Sequence, residues 1–127
     1  MIQKFFNLQI STNGQKLYEF TDKTLEWIKK NQFNNGLINI SIQHTSASLI
    51  VQENADPDVQ TDLINYFDKL APMDDKIYIH NTEGKDDMPA HIQSALTNNQ
   101  ISLSLKNGQL FLGTWQGIYL FEHRLNT

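Results

Sequence analysis

Two stretches of strict alternation constrain this chain more than anything else in it. From Leu37 to Gln43, the residues Ile38, Ile40 and Ile42 alternate with Asn39, Ser41 and Gln43. From Ile101 to Leu105, three aliphatic residues alternate with Ser102 and Ser104. A period of two puts every aliphatic side chain on one face of a strand and every polar one on the other. Such strands belong to a sheet with one face on a core and one in water. That is an antiparallel habit, because parallel sheets are covered on both faces.

The rest of the chain is read around these two strands. Ile2 to Ile10 is rich in Phe and Ile and is expected to be a strand. Ser11-Thr12-Asn13-Gly14 is a turn signal, so Lys16 to Phe20 should pair back on it as a hairpin. Thr21 or Asp22 can cap a helix with Leu25, Trp27 and Ile28 on its apolar side, ended by Asn34-Asn35-Gly36. Ser48 to Gln52 is a further strand. Asp56-Pro57 opens a second helix, because Asp accepts a free N–H and Pro lacks one where it would be unpaired. Val59, Leu63, Phe67 and Leu70 follow at helical spacing, widened by Ile64 and closed by Ala71-Pro72. A short extended piece is expected around Ile77-Tyr78-Ile79. Asp86 to Pro89 starts a third helix, which stops at Asn98-Asn99. Asn107-Gly108 suits a type I′ hairpin turn that returns through Leu110-Phe111-Leu112. Ile118 to Phe121 is the last strand.

Strands and helices do not alternate regularly, so a doubly wound parallel sheet is not expected. The expectation is an α+β fold with a largely antiparallel sheet and two to three helices. At 127 residues the chain fits one domain, 1–127. It has no cysteine, which excludes disulfides, thiolate metal sites and a cysteine nucleophile. No apolar run approaches the ~18 residues of a membrane span, and the N-terminus shows no secretory leader pattern. No membrane association is expected, and the cytoplasm is the expected compartment.

Net charge is −4, unevenly spread. Residues 53–87 carry ten acids against three lysines, whereas residues 1–52 stand at +2 and residues 88–127 at +1. Arg124 is the only arginine. Nucleic-acid binders cluster Lys and Arg, so a nucleic-acid partner is not expected.

Four stretches could carry chemistry. His44-Thr45-Ser46-Ala47-Ser48 sits at a strand junction that is more polar than a sheet edge needs. It reads either as a hydrogen-bonded turn or as a site, and a serine nucleophile there would need a base and an orienting acid. In Glu53-Asn54-Ala55-Asp56-Pro57-Asp58, helix capping explains Asp56 and Asp58 but not Glu53 and Asn54. The stretch from His80 to His91 packs two His and three acids, Glu83, Asp86 and Asp87, into twelve residues. Imidazole and carboxylate suit zinc or another divalent cation, and His91 stands four residues after Asp87. A polar loop with a helix cap is the plainer alternative. In Gly113-Thr114-Trp115-Gln116-Gly117, two glycines flank a Trp in an expected strand, which marks a bulge around a core Trp or a close approach to a ligand.

Taken in order and at their spacing, His44-Thr45-Ser46-Ala47, Glu53-Asn54 to Asp56-Pro57, Asp86-Asp87-Met88-Pro89-Ala90-His91, and Gly113-Thr114-Trp115-Gln116-Gly117 to Glu122-His123-Arg124 resemble the YjbQ-like family. Its members are often labelled secondary thiamine-phosphate synthase enzymes. The resemblance implies a two-sheet sandwich, a homotrimer and a polar pocket near the subunit boundary. It implies His44, Asp87, His91 and Glu122 as catalytic candidates. Ser46, Asn54, Trp115, Gln116 and Arg124 are the substrate-binding candidates, and His44 and His91 are the metal ligands for zinc or magnesium. The implied reaction is a weak condensation of a pyrimidine diphosphate with a thiazole phosphate. The family pattern continues past the arginine into a further strand, so an edge strand is expected to be short or missing after Leu125-Asn126-Thr127. A metal-dependent enzyme of another class, such as a hydrolase, and a non-catalytic trimeric binding module stand as alternatives. A diphosphate leaving group needs cationic stabilisation, and one arginine is a thin supply of it.

Overall fold

Residues 1–125 are described by a computed structural model of the chain. Its elements run β1 (Lys16–Glu19), α1 (Thr21–Lys30), β2 (Gly36–Ser41), β3 (Ala47–Glu53), α2 (Pro57–Leu70), α3 (Asp87–Leu96), β4 (Gln100–Lys106), β5 (Gln109–Leu110) and β6 (Gln116–Glu122). They form two three-stranded antiparallel sheets, ordered β1-β6-β3 and β2-β4-β5. The fold is α+β, as expected.

Side-chain parity decides the layers. On β6, Ile118 and Leu120 point one way and Tyr119 and Phe121 the other. Ile118 packs with Leu49 and Phe20 against Ile40, Ile42, Ile101 and Leu103 of the second sheet, which makes the sandwich core. Tyr119 and Phe121 pack with Leu17 against Ile64 and Phe67 of α2 on the opposite face. The order of layers is therefore helices, first sheet, second sheet. The alternation of β2 and β4 is read directly: the Ile and Leu faces are turned inward, while Asn39, Ser41, Gln100, Ser102 and Ser104 stay on the outer side.

The Asp56 carboxylate caps α2 by accepting from the Asp58 N–H at 2.9 Å, with Pro57 at the first position. Asn107 and Gly108 take φ of 53° and 77°, the conformation a type I′ turn demands.

Several expectations are corrected. Residues 2–10 form no strand, and the hairpin with Lys16–Phe20 does not exist. β1 pairs with β6 instead, in the register Lys16↔Glu122 to Glu19↔Tyr119. The apolar residues of the segment are used by packing alone: Leu8 and Ile10 lie against the sandwich core, and Phe6 stacks on Trp27 with ring centroids 5.5 Å apart. Neither Thr21 nor Asp22 caps α1. Phe20 holds the N-cap position, and its side chain makes no capping bond. Around Ile77 the chain makes a single 3-10 turn, Asp75–Ile77, because the Asp74 carboxylate accepts from the Lys76 N–H. β5 is only two residues long, so Phe111 and Leu112 fall outside it. Trp115 is 63% exposed and is not a core residue. The expectation about a strand after Arg124 falls largely on Asn126 and Thr127, which lie outside the described residues. Among the described residues, no helix is long and apolar enough to cross a membrane.

Candidate functional site

The antiparallel ladder of β3 on β6 sets where the candidate residues can be. Its register runs from Ala47↔Glu122 to Glu53↔Gln116. His44 and Ser46 precede Ala47, and Arg124 follows Glu122, so these residues share one end of the ladder with Glu122. Asn54, Trp115 and Gln116 share the other. Six residue steps at ~3.3 Å put the two ends about 20 Å apart. The candidates therefore form two groups within one chain.

The first end is built where the start of α3 meets the turn before β3. Asp87 is the first residue of α3, where a carboxylate suits the positive helix end. It is 2% exposed. One turn on, His91 sends its Nδ1 to within 2.9 Å of the Thr45 carbonyl oxygen. A carbonyl only accepts, so Nδ1 donates its proton there. The other ring nitrogen, Nε2, faces Asp87 Oδ2 at 3.2 Å. His80, from the loop before α3, brings its own Nε2 to the same Oδ2 at 2.8 Å. The nearest donor atoms of His80, Asp87 and His91 all lie within 4.8 Å of one another.

Asp87 is held from behind by the sole arginine. Arg124 Nη1 donates to Asp87 Oδ1 at 2.5 Å, Nε donates to Asp86 Oδ2 at 3.0 Å, and Nη2 donates to the Glu83 carbonyl at 3.1 Å. The Leu125 N–H adds a bond to Asp86 Oδ2. Burial works most strongly against ionising Asp87, yet the His80 hydrogen bond and the positive charges of His91 and Arg124 outweigh it. Its carboxyl is held below the usual carboxylate value. Asp86 is likewise lowered against the cost of burial, by the Leu125 N–H and the Arg124 guanidinium.

A shallow cleft of about 440 Å³ opens beside this centre, lined among others by His44, Thr45, His91, Ser94 and Asn99. His44 is exposed at the cleft and is not part of the convergent group. Glu122 is half-buried and accepts from the Thr12 hydroxyl at 2.9 Å. Ser46 is also half-buried, at the same end.

Ser48 and His123 do meet, with Oγ 2.8 Å from Nε2, but both are fully buried. The second ring nitrogen of His123 faces the Gln93 amide oxygen at 3.0 Å, not an acid, and the Thr97 hydroxyl donates to Ser48 Oγ. Burial pushes the His123 pKa down to about 4. This is an internal polar brace joining β3, α3 and β6, with no access for a substrate.

At the second end, Glu19 is the organising residue. Its Oε2 accepts from the Thr21 hydroxyl at 2.8 Å and from the Asn54 amide at 3.1 Å. The carboxylate lies against Gly117, where any Cβ would collide with it. The Asn54 N–H donates to the Trp115 carbonyl, and the Gln116 side chain closes the loop by accepting from the Gly113 N–H. Glycine at 117 thus serves a close side-chain approach. The Thr21 hydroxyl also accepts from the Ile118 N–H, which explains why it is not free to cap α1.

Sequence reasoning singled out neither His80 nor Glu19 as a site residue. The signal for His80 was present in the crowding of His and acid between residues 80 and 91. Nothing local marks Glu19.

The chain as a whole is similar to known proteins. The profile of the family described as UPF0047 protein YjbQ-like matches residues 6–126. The chain is 51% identical to the UPF0047 protein sll1880 of Synechocystis over 117 residues, which is 92% of this chain and 80% of that one. It is 39% identical to the UPF0047 protein YjbQ of Escherichia coli O157:H7 over 120 residues, 94% and 86% of the two chains. Among solved structures, a conserved hypothetical protein of Thermus thermophilus superposes with a TM-score of 0.83 at 32% identity, covering 94% of this chain and 90% of that one. A YjbQ/UPF0047 protein of Clostridium acetobutylicum gives 0.82 at 31%, covering 94% and 89%.

Proposed function

The chain belongs to the YjbQ-like UPF0047 family, and from that premise and the geometry above we propose that it is a divalent-cation-dependent enzyme whose cation sits among His80, Asp87 and His91. One observation carries the reading. Two imidazole nitrogens converge on one carboxylate oxygen, and the His91 nitrogen does so with its other nitrogen's proton already spent on Thr45. With those nitrogens deprotonated, the three groups turn lone pairs on one point, where a divalent cation can take the place of the protons.

The donor set fits a particular kind of cation. Two nitrogens and one carboxylate oxygen suit zinc or a similar transition ion, whereas magnesium prefers oxygen alone. Three protein ligands leave a position open, as catalytic zinc sites do and structural ones do not. When bound, such an ion supplies positive charge that polarises a carbonyl or phosphoryl oxygen of a substrate. The protein's own groups have separate tasks. Arg124 and Thr45 orient Asp87 and His91. His44 is exposed at the cleft and makes no side-chain hydrogen bond among the described residues, so it is placed to take or give a proton.

The thiamine-phosphate condensation implied by the family label is one reaction this arrangement could serve. Its diphosphate leaving group needs cationic stabilisation, and Arg124 is committed to Asp86, Asp87 and Glu83. A bound cation would be the source of that charge. We propose also that the working unit is a homotrimer. Asn54, Trp115 and Gln116 cannot reach the His44 cleft within one chain, so they could contribute only from a neighbouring copy.

The test is metal analysis of protein purified without a His tag, followed by zinc titration. Near-stoichiometric zinc, lost in His91→Ala and Asp87→Asn, is the expected result. A folded protein that takes up no divalent cation would overturn the reading. Formation of thiamine phosphate from the two phosphorylated precursors should then depend on the cation. If turnover persists in a chelated, cation-free sample, the synthase activity does not use this site. A sedimentation mass of one chain, 14.7 kDa, would sink the trimer.

A further inference from the structure

Arg124 was expected to bind substrate, but its geometry assigns it another task. Its guanidinium spends three directed donors on protein acceptors: Asp87 Oδ1, Asp86 Oδ2 and the Glu83 carbonyl. The group is only 27% exposed. A planar fork of this kind fixes the plane of the carboxylate it grips as well as its charge. The consequence at Asp87 is an asymmetry. Oδ1 is occupied by the arginine, and Oδ2 alone faces His80 and His91.

We infer that Arg124 is a positioning residue that makes Asp87 a one-oxygen ligand and so selects the class of cation. The inference rests on the cation site proposed above. Calcium takes six to eight oxygens and often both oxygens of a carboxylate, and magnesium prefers oxygen in an octahedral shell. A single carboxylate oxygen beside two imidazoles matches the smaller coordination number and nitrogen preference of zinc. The same fork fixes the loop that carries His80. Nη2 binds the Glu83 carbonyl, Nε binds Asp86, and the Leu125 N–H shares that Asp86 oxygen. One side chain near the end of β6 therefore sets the ligand oxygen and ties down the loop bearing a second ligand.

Lysine cannot replace it. An ammonium is a single point of charge and cannot bond Asp87, Asp86 and the Glu83 carbonyl along fixed directions. Outer partners of metal ligands are typically worth ~10–100-fold in affinity. Arg124→Lys and Arg124→Gln should each weaken zinc binding within that range. They should also narrow the preference for zinc over calcium, because Oδ1 becomes available. A purely structural role would lower stability without moving the zinc-to-calcium ratio.

The experiment is competitive titration of zinc and calcium on the folded wild type, Arg124→Lys and Arg124→Gln, with circular dichroism as the folding control. Loss of zinc affinity with a reduced ratio supports the inference. Unchanged affinity and ratio in folded variants overturn it while leaving the cation site standing. A wild type that binds neither ion overturns the cation site itself, and this inference with it. Should both variants fail to fold, Asp86→Asn decides, since it loosens the Nε arm that aims the Arg124 fork at Asp87 Oδ1. A smaller but measurable loss of zinc affinity supports the clamp, and no change overturns it.

Discussion

At one end of β6, titratable side chains gather on a single carboxylate oxygen. At the other, one carboxylate is held by neutral donors next to a loop that carries an exposed indole. Asp87 faces His80, His91 and Arg124, all capable of positive charge. Glu19 faces the Thr21 hydroxyl, the Asn54 amide and the backbone at Gly117. The first carboxylate is buried and stays ionised because Arg124 and the two imidazoles stand against it. The second is exposed and needs no such partners. One strand thus carries two polar ends with opposite electrostatic surroundings, and the Asp87 end is where the proposed cation site lies.

The largest effects are expected at the charged end. Asp87→Asn or His91→Ala should reduce zinc affinity beyond the ~10–100-fold expected for an outer partner, read by isothermal titration. If either variant binds zinc as the wild type does, the convergence on Oδ2 has no functional meaning.

The next effect belongs to His123, behind the same end. Its pKa is about 4 in the folded chain, lowered by burial, against ~6.5 unfolded. Between those values the unfolded chain takes a proton that the folded one refuses. Stability is therefore full above pH ~6.5 and falls as pH drops toward 4, by roughly 3 kcal/mol at about 1.36 kcal/mol per pH unit. Asp86 and Asp87 lie below their ordinary value, so their stabilising effect is lost only at still lower pH. Urea melts at pH 7 and pH 4.5 should show the drop, and His123→Gln should flatten it over that interval.

At the neutral end the effects are smaller. Gly117→Ala pushes the Glu19 carboxylate away and weakens its bonds to Thr21 and Asn54, at a cost of about 1 kcal/mol. Thermal denaturation would register this as a few degrees, with zinc affinity untouched. The smallest expected change is none at all: Trp115→Ala should leave zinc affinity where it was, since all three proposed ligands belong to the Asp87 end of one chain. A fall in zinc affinity there would mean that the two ends are not independent.

Legibility from sequence tracked the range of the interaction. Asp56-Pro57 specified its helix start and Asn107-Gly108 its turn because cap and turn chemistry act over two or three residues. Asp87 and His91 could be paired by helical spacing, and they are paired. The role of Arg124 could not be read, because its partners lie 37 to 41 residues away. The same holds for Glu19 and Asn54, which are 35 apart. Residues 2–10 misled for a different reason. Their Phe and Ile content has high strand propensity, but propensity reports a fit to a half-buried surface, not a ladder partner. Both sides of β6 are taken by β1 and β3. Leu8 and Ile10 find burial without hydrogen-bonding into a sheet.

The central position of β6 bears on how the chain is made. In the order β1-β6-β3, the middle strand is the last to be synthesised. At ~5–20 residues per second, about 5–20 s separate the emergence of β1 from that of β6. Through that interval β1 and β3 have no partner of their own, and the apolar faces meant for Tyr119 and Phe121 are bare. The first sheet therefore closes in one late event, and the Asp87–Arg124 clamp can form only once that event has occurred. A ribosome stalled before Gln116 would hold a half-sheet with open edges, the kind of nascent chain that chaperones are built to shield.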